Sequence, residues 1–453
     1  MDNCNSMDMD VIKDLCASFA ENNQIRPEYY TKYGVKRGLR NSDGTGVLAG
    51  LTTVSNVHGY IVDEGERRPV QGVLNYRGYN IFDLLEGFEE ERRFGYEEVA
   101  YLLLCGNLPD TGELSAFRNA VGNASLLPPN FTEDILMRAP SPNIMNKLAS
   151  ATLALYSYDE NPDDISMENV MRQSVELLAR FPVIISHAYQ AKRRYFDNKS
   201  MYLRNPDPEK SSAENILRLI RPDGKYSYEE AVLLDRCLIL HAEHGGGNNS
   251  AFAARVVSSS SSDTYSAISA AIGSLKGPRH GGANLRVVEM FDDLKANVAD
   301  ITDKKQVYDY LVKLLRREAN DGSGLIYGMG HAVYTLSDPR TIALKSTALP
   351  LAERTGFMED FKLRELVEDL TPEVLWNVKG SDKVVCANVD MYSGLIYQML
   401  NIPTELFTPL FASARIAGWL AHRQEELANS KRIIRPAYKP LYREKQYVKL
   451  LDR

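Results

Sequence analysis

Apolar residues recur every three or four positions along most of this 453-residue chain, and the runs stop at Gly or Pro. In the clearest example an apolar stripe covers residues 232–240 and gives way to three glycines at 245–247. Ser227 and Glu230 precede it with the spacing of a capping box, which satisfies free amides of a first helical turn. Because this periodicity places apolar side chains on one helical face, the sequence predicts a mainly α protein.

Strand-like alternation is sparse, and it is clearest over residues 59–62 and 70–76. We therefore expect a multi-helical fold with only a few short strands. The length exceeds what one ordinary core needs and favours two or three domains. No repeat of 20–50 residues is visible in the sequence, which argues against a solenoid.

Charge is unevenly distributed along the chain. The whole sequence has a formal net charge of −7, yet residues 415–453 contain ten Lys or Arg against four Asp or Glu. An acidic protein is a poor general nucleic-acid binder, so we expect no nucleic-acid partner. The basic tail needs a different explanation.

The five cysteines, at positions 4, 16, 105, 237 and 386, are scattered and form no CxxC pair. This pattern is typical of reduced thiols in the cytoplasm rather than of a disulfide framework. The sequence shows no signal-peptide pattern and no uninterrupted apolar run of membrane-spanning length. We therefore expect a cytoplasmic protein without a membrane partner.

Three of the seven histidines, His244, His280 and His331, lie beside glycines, and His241 precedes His244 by one helical turn. A single histidine inside a helix is usually structural. Three in glycine-flanked segments indicate a place where backbone and ligand approach closely. A metal site at His241 and His244 is an alternative, but HExxH is absent and no Cys pair adds ligands, so we predict no metal.

Other common motifs are incomplete. Gly328 and Gly330 begin a GxGxxG pattern, but Val333 stands where its third glycine would be. GxxxxGK[ST] and GxSxG are absent from the sequence. These absences argue against dinucleotide-binding, P-loop and nucleophile-elbow enzymes.

Charged residues in apolar surroundings are the remaining candidates. Arg415 lies in LFASARIAGWLAH, Arg340 follows Asp-Pro, and Arg435 precedes a proline. A buried guanidinium needs a carboxylate or phosphate, supplied by the protein or by a ligand. Asp390 lies between Val389 and Met391, where a carboxyl group should have a raised pKa or a partner, and either condition suits a general base.

Taken in order, several of these segments resemble the citrate synthase family. The matching motifs are HAEHGGGNNSAF, GPRHGGAN, GMGHAVYTLSDPR, NVDMYSG and FASARIAGW followed by RP, with GLRNSDGTGVLAGLTTVSNVHGY and LNYRGYNIFDLL upstream. The resemblance spans roughly residues 38–440. It implies an almost entirely helical fold and an acyltransferase that condenses acetyl-CoA with oxaloacetate and releases citrate and CoA.

The resemblance also implies catalytic roles. Asp390 would take a proton from the methyl group of acetyl-CoA, and His280 would hydrogen-bond the thioester oxygen as the enolate or enol forms. His331 would polarise the oxaloacetate carbonyl group. No cofactor is implied, because the CoA thioester is a substrate.

Substrate-binding roles follow in the same way. His244 would help to hold oxaloacetate, and Arg340 and Arg415 would bind its carboxylates. Arg435 would reach the site of the neighbouring subunit in a homodimer. Guanidinium groups bind carboxylates in a bidentate manner, which suits a dianionic substrate.

Contacts with CoA carry over less completely. Thr335 stands where many relatives of the family have a basic residue. Lys276 and Arg279 are alternative phosphate contacts, although both could equally be solvated surface charges. Gly328 and Gly330 resemble a loop that contacts adenine.

The resemblance divides the chain into four segments. Residues 1–37 would be a helical extension, 38–281 the first part of a large domain, 282–392 a small domain, and 393–453 the rest of the large domain with the tail. Closure of the small domain would bring catalytic groups together and exclude water.

Two other functions stay open at this stage. A 2-methylcitrate synthase would use propionyl-CoA with the same motifs, and one methylene contributes only about 1–3 kcal/mol to discrimination. A non-catalytic homologue that binds CoA is a less favoured alternative.

Overall fold

The computed structural model describes residues 9–41, 44–64, 66–381, 384–442 and 444–453. These residues form two compact units, residues 1–50 with 435–453 and residues 51–434, apart from the positions just excluded. Helices dominate and one small sheet is present in the described part of the chain, so the predicted mainly α fold is confirmed. Residues 1–8 of the predicted N-terminal extension, with Cys4, lie outside the described residues.

The smaller unit contains little regular structure. Helices α1 (Met9–Asn22) and α2 (Glu28–Lys32) are followed by a 3₁₀ turn at Arg37–Leu39, and a second 3₁₀ turn covers Leu450–Asp452. No residue of α1 is buried.

The larger unit begins with a three-stranded antiparallel sheet. Strands β1 (Ser55–Asp63) and β2 (Glu66–Tyr76) form a long hairpin, and β3 (Tyr79–Asn80) pairs with the end of β2. The pairing register shifts between His58 and Tyr60, where residues 70–72 of β2 stand opposite the single Gly59 of β1, so the ladder is interrupted by a bulge in β2. Both predicted strand segments lie within this hairpin.

The remaining helices of the larger unit follow β3. They are α3 (Ile81–Glu90), α4 (Tyr96–Cys105), α5 (Thr111–Ala124), α6 (Ile144–Ala154), α7 (Met167–Tyr195), α8 (Ser212–Ile220), α9 (Tyr228–His241), α10 (Asn249–Ser258), α11 (Thr264–Lys276), α12 (Ala283–Asn297), α13 (Lys304–Leu315), α14 (Pro339–Thr355), α15 (Met358–Lys379), α16 (Asp390–Met399) and α17 (Phe407–Asn429). A π-helical turn covers Thr132–Met137, and 3₁₀ turns cover Leu155–Tyr158 and Thr404–Leu406.

Sequence signals locate several helix ends. The Ser227 hydroxyl accepts from the Glu230 amide and the Glu230 carboxylate accepts from the Ser227 amide, so the predicted capping box begins α9. Gly106 ends α4 with a left-handed φ of 94°. Helix α16 begins at Asp390, whose amide donates to the Asn388 side chain at 3.0 Å.

Helix α17 lies at the centre of the larger unit. It packs against α4, α7, α9, α10 and α11, and its middle turns are fully buried. Helices α12 to α16 pack mainly on one another, and α16 also contacts α9. Helices α12 to α15 lie within the segment 282–392 predicted as a small domain, whereas α16 lies mostly beyond its end, and that domain division stays a prediction.

Four cysteines, Cys16, Cys105, Cys237 and Cys386, are free thiols. Burial raises the pKa of Cys237 to about 12 and that of Cys386 to about 11, which makes both thiols unreactive near neutral pH. Among the described helices, none combines the length and apolar character needed to cross a membrane.

Candidate active site

A tyrosine of the hairpin hydrogen-bonds the end of α9 and the turn that follows it. The buried Tyr76 hydroxyl lies 3.0 Å from the Ile239 carbonyl oxygen and 3.2 Å from that of Glu243. Gly245 then reverses the chain with a φ of +87°. His244 is therefore buried within this turn and lies beyond the end of α9 at His241.

The buried Glu243 carboxylate holds this turn together. Its Oε1 accepts hydrogen bonds from the Ser55 hydroxyl at 2.9 Å and from the Gly245 amide at 2.5 Å, and it lies 2.8 Å from His422 Nε2. Burial opposes the charged form, but His422 and Arg415 outweigh it and lower the pKa of Glu243 to about 2. Glu243 is therefore ionised under all ordinary conditions.

Three aromatic rings meet above this turn. The ring centres of His244 and His331 are 5.1 Å apart, and that of Tyr334 lies 5.4 Å from His244 and 4.8 Å from His331. His331 Nδ1 accepts from the Val333 and Tyr334 amides, which leaves the ring hydrogen on Nε2. Burial, followed by the charge of Arg340, holds the pKa of His244 well below its usual value.

The segment that carries His331 lies beside the start of α16. An isolated antiparallel bridge pairs Met329 with Ala387, and the Asn388 side chain donates to the Gly330 carbonyl oxygen at 2.9 Å. These backbone contacts join two segments that lie more than fifty residues apart in sequence. They bring the His331 loop next to Asp390.

Asp390 is the first residue of α16, where the helix dipole favours a negative charge. Burial nevertheless raises its pKa to about 6, with Asp338 adding to the shift, while Arg340 and Arg415 oppose it. The carboxyl group thus titrates near neutrality, which agrees with the sequence prediction. Such a pKa suits a general base.

The buried Arg340 forms an ion pair with Asp338, the residue that caps the start of α14. Its Nε lies 3.0 Å and its Nη2 2.6 Å from the two oxygens of Asp338, which also caps α14 by accepting from the Arg340 amide. Its guanidinium carbon lies 5.8 Å from the centre of the Tyr334 ring. Burial opposes the charge of Arg340, but Asp338 outweighs it and raises its pKa.

Arg415 is fully buried in α17 and differs from Arg340 in its partners. Its Nε donates to the His241 carbonyl oxygen at 2.6 Å, and its guanidinium lies over the Phe411 ring at 4.7 Å. Neither Nη1 nor Nη2 has a hydrogen-bond partner among the described residues. Burial lowers its pKa to about 10 although Glu243 favours the charge, so Arg415 remains a cation with unused donors.

His280 lies in the turn between α11 and α12. Its Nε2 is 3.0 Å from the Ser250 hydroxyl, which accepts from Trp419 Nε1 at 3.0 Å and also lies 2.8 Å from Asn248 Oδ1. Burial, together with the charge of Arg415, lowers the pKa of His280 to about 4. The ring is therefore neutral near pH 7.

The structure brings six of the predicted residues into one cluster. The charges of these residues affect one another's pKa values. The six are His244, His280, His331, Arg340, Asp390 and Arg415. Gly328 and Gly330 flank the cluster with left-handed φ angles of 84° and 87°.

Three further residues were predicted from the sequence as contacts to CoA or to the neighbouring subunit. Lys276 and Arg279 are exposed next to His280, and Arg435 begins the C-terminal segment of the smaller unit. The roles predicted for these three residues stay predictions.

Sequence reasoning did not assign a role to Glu243, Tyr334, Asp338 or Ser250. Asp338 carried a signal, because an Asp-Pro-Arg sequence places a helix cap and a cation side by side. The others act through contacts between residues distant in sequence, for which the local pattern gives no signal.

His241, considered above as a metal ligand, is packed edge-on against Phe411 with 4.4 Å between ring centres. Neither of its ring nitrogens has a hydrogen-bond partner among the described residues, and burial lowers its pKa to about 3. Within the described part of the chain, no group of three or more His, Cys, Asp or Glu side chains could hold a metal ion.

Known proteins show the same fold and sequence pattern. A family model described as "Citrate synthase, C-terminal domain" matches residues 42–437. The citrate synthase of Acidithiobacillus ferridurans is 33% identical over 86% of this chain and 92% of its own length. A 2-methylcitrate synthase of Shewanella oneidensis is also 33% identical, over 80% of this chain and 87% of its own length.

Solved structures agree with this comparison. The citrate synthase of Pyrobaculum aerophilum aligns with a TM-score of 0.73 and 29% identity over 90% of this chain and 94% of that chain. The citrate synthase of Thermoplasma acidophilum was solved as a ternary complex with carboxymethyl-coenzyme A and oxaloacetate. It aligns with a TM-score of 0.75 and 25% identity, over 92% of this chain and 99% of that chain. Citrate synthases are acyltransferases, so these comparisons assign the chain to an acyltransferase family. The chain belongs to the citrate synthase family.

Proposed function

We propose that the protein condenses acetyl-CoA with oxaloacetate and hydrolyses the resulting citryl thioester to citrate and CoA. The observation that carries this proposal is the cluster itself, in which His244, Arg340 and Arg415 are buried and His280, His331 and Asp390 are partly exposed. It combines one carboxyl group that titrates near neutrality, two neutral imidazoles and a buried guanidinium with free donors. Those groups match the needs of a reaction between a thioester carbanion and a dianionic keto acid.

Asp390 is the proposed base. An α-proton of a thioester is weakly acidic, so a carboxylate removes it only if the enolate is stabilised as it forms. The pKa of about 6 makes Asp390 mostly ionised at pH 7 and still basic enough to accept the proton. General-base catalysis of this kind typically contributes about 10²- to 10⁴-fold to the rate.

His280 is the proposed donor to the thioester oxygen. This role requires the tautomer with its hydrogen on Nδ1, in which the Ser250 hydroxyl would donate to Nε2 rather than to Asn248 Oδ1, 2.8 Å away. A neutral imidazole suits this role because it stabilises the enolate without permanently protonating it.

Oxaloacetate would lie between His331 and the arginines. The Nε2 hydrogen of His331, whose position follows from the two amides at Nδ1, would polarise the ketone under attack. The unused Nη donors of Arg415 would bind a carboxylate, while Asp338 fixes the orientation of Arg340 beside it. His244 would complete this part of the site.

Further features of the proposal rest on the sequence motifs. Lys276, Arg279 and the loop at Gly328 and Gly330 would contact CoA. The protein would act as a homodimer in which Arg435 reaches the neighbouring subunit. The scattered thiols favour a cytoplasmic location.

The test measures release of the free CoA thiol with oxaloacetate and either acetyl-CoA or propionyl-CoA, with and without EDTA. We expect thiol release from acetyl-CoA that requires oxaloacetate and is unchanged by EDTA. Asp390→Asn should lower kcat by roughly 10²- to 10⁴-fold while circular dichroism stays the same. Thiol release from neither thioester would refute the proposal and would favour a non-catalytic homologue.

A second candidate is 2-methylcitrate synthase activity, which the similarity to the Shewanella oneidensis enzyme favours. The propionyl-CoA arm of the same assay decides between the two. A higher kcat/KM with propionyl-CoA would assign the protein to that activity.

A further inference from the structure

The hairpin of β1 and β2 lies against the segment that carries His331 and Arg340. The Gly72 amide donates to the Ser337 hydroxyl at 3.0 Å, and that hydroxyl donates to Gln71 Oε1 at 2.6 Å. The Tyr334 hydroxyl also donates to the Val73 carbonyl oxygen at 3.3 Å. Three consecutive hairpin residues therefore bind one short stretch of the active-site segment.

Two glycines make this approach possible. A Cβ atom at Gly72 would lie 2.2 Å from the Ser337 carbonyl oxygen, 2.8 Å from the Tyr334 ring and 2.9 Å from Pro339. A Cβ atom at Gly59, where the strand register shifts, would lie 2.8 Å from the Tyr334 Cα. A side chain at either position would displace the backbone of the active-site segment.

Tyr334 transmits this contact to the substrate groups. Its ring stacks on His331 with an interplanar angle of 27°, and the Arg340 guanidinium lies over the same ring. The segment ends at Pro339, the first residue of the helix that carries Arg340. A shift of Tyr334 would therefore change the angle between the imidazole and the guanidinium.

We propose that the irregular hairpin, through Gly59, Gly72 and Tyr334, is a positioning element that sets the geometry of His331 and Arg340 for oxaloacetate. This inference rests on the proposed function, because it assigns oxaloacetate to those two groups. Bulges commonly direct side chains next to active sites, and here the bulge lets strands approach a loop. None of the three residues needs to contact substrate.

The test compares Gly72→Ala with Gly87→Ala, a matched control in α3 where an added Cβ meets no heavy atom within 4 Å. Misplacement of a binding group by about 1 Å can cost about 100-fold, so we expect Gly72→Ala to raise KM for oxaloacetate by roughly 10- to 100-fold. KM for acetyl-CoA should change less than about threefold, and Gly87→Ala should match the wild type. A merely structural defect would instead lower the amount of active enzyme and leave both KM values unchanged.

Ser337→Ala is the second variant, for use if Gly72→Ala does not fold. It removes both the acceptor for the Gly72 amide and the donor to Gln71 Oε1, and loss of these hydrogen bonds should raise KM for oxaloacetate about fivefold. Oxaloacetate-induced thermal stabilisation is measured in parallel as a readout of binding without turnover. It should be reduced in both variants and retained in Gly87→Ala.

The outcomes separate this inference from the proposed function. Wild-type turnover with unchanged oxaloacetate KM in both hairpin variants overturns the positioning role alone. A wild type that binds oxaloacetate but releases no thiol overturns the proposed function, and the thermal shifts then still decide the positioning role. A wild type with neither response overturns both.

Discussion

Two arginines on helix α17, Arg415 and Arg423, are both fully buried and differ in what surrounds them. Arg423 donates to the Thr264 hydroxyl at 3.1 Å, to the Ser258 hydroxyl at 3.1 Å and to the Ser262 carbonyl oxygen at 2.9 Å. Arg415 donates only from Nε, and its two terminal nitrogens find no acceptor among the described residues.

Burial has the same electrostatic effect at both positions. It lowers the pKa of each guanidinium to about 10, because a low-dielectric interior disfavours the charge. At Arg423 the protein supplies the hydrogen bonds that offset this cost. At Arg415 the missing acceptors are what a substrate carboxylate would provide. Hydrogen-bond satisfaction, not burial or charge, is therefore what distinguishes Arg415 from Arg423, and the binding role proposed for Arg415 rests on this difference.

The largest expected effect is a fall in kcat/KM for oxaloacetate in the Arg415→Leu variant. Loss of one partner of a buried, hydrogen-bonded charge pair costs about 2–5 kcal/mol, so kcat/KM for oxaloacetate should fall by roughly 30- to 5,000-fold. Stability should stay within about 1–2 kcal/mol of the wild type, because an uncompensated buried charge is removed together with one hydrogen bond. Steady-state kinetics and urea unfolding measure the two quantities. Severe destabilisation with normal kinetics would place Arg415 among the structural residues.

Arg423→Leu should show the opposite pattern with a smaller free-energy change. Three acceptors lose their donor, and partial relief of the buried charge offsets some of that loss, so we expect about 2–3 kcal/mol less stability. Both KM values should be unchanged in the folded enzyme. A raised KM for oxaloacetate at wild-type stability would end the distinction between the two arginines.

The smallest effect concerns pH. Asp390 must be ionised to act as a base, so the wild-type kcat/KM for oxaloacetate should be flat above pH 6 and fall about tenfold per unit below it. The charge of Arg415 lowers the pKa of Asp390, and therefore Arg415→Leu should move the midpoint to higher pH. In Arg423→Leu the midpoint should stay near 6. Equal shifts of the midpoint in both variants would mean that the pH profile of kcat/KM reports protein stability and not the effect of the Arg415 charge on Asp390.

The sequence predicted local structure and chemical type well. The capping box at Ser227, the glycine stop at Gly106 and both strands of the hairpin follow from short-range patterns that determine backbone geometry directly. The unusual environment of Asp390 was also predictable, since an acid between apolar residues has few ways to stay solvated.

The sequence could not predict which buried arginine is satisfied. Arg415 lies inside an apolar stretch and Arg423 just beyond its end, and the acceptors of Arg423 come from the end of α10 to the start of α11, more than 150 residues earlier. The contact of Gly72 with Ser337 spans 265 residues in the same way. Tertiary packing determines which distant residues form such hydrogen bonds, and no local pattern in a single sequence predicts them.

The bridge between Met329 and Ala387 holds together the two ends of a long segment, and this affects where insertions and deletions can be tolerated. The chain leaves the site after Arg340, continues through α14 and α15, and returns through Asn388, which binds Gly330. Because the excursion is closed at its base, its length can vary while the separation of His331 and Asp390 stays the same. Insertions or deletions among related sequences should therefore accumulate in the outer turns of this excursion and spare the short segments at its neck.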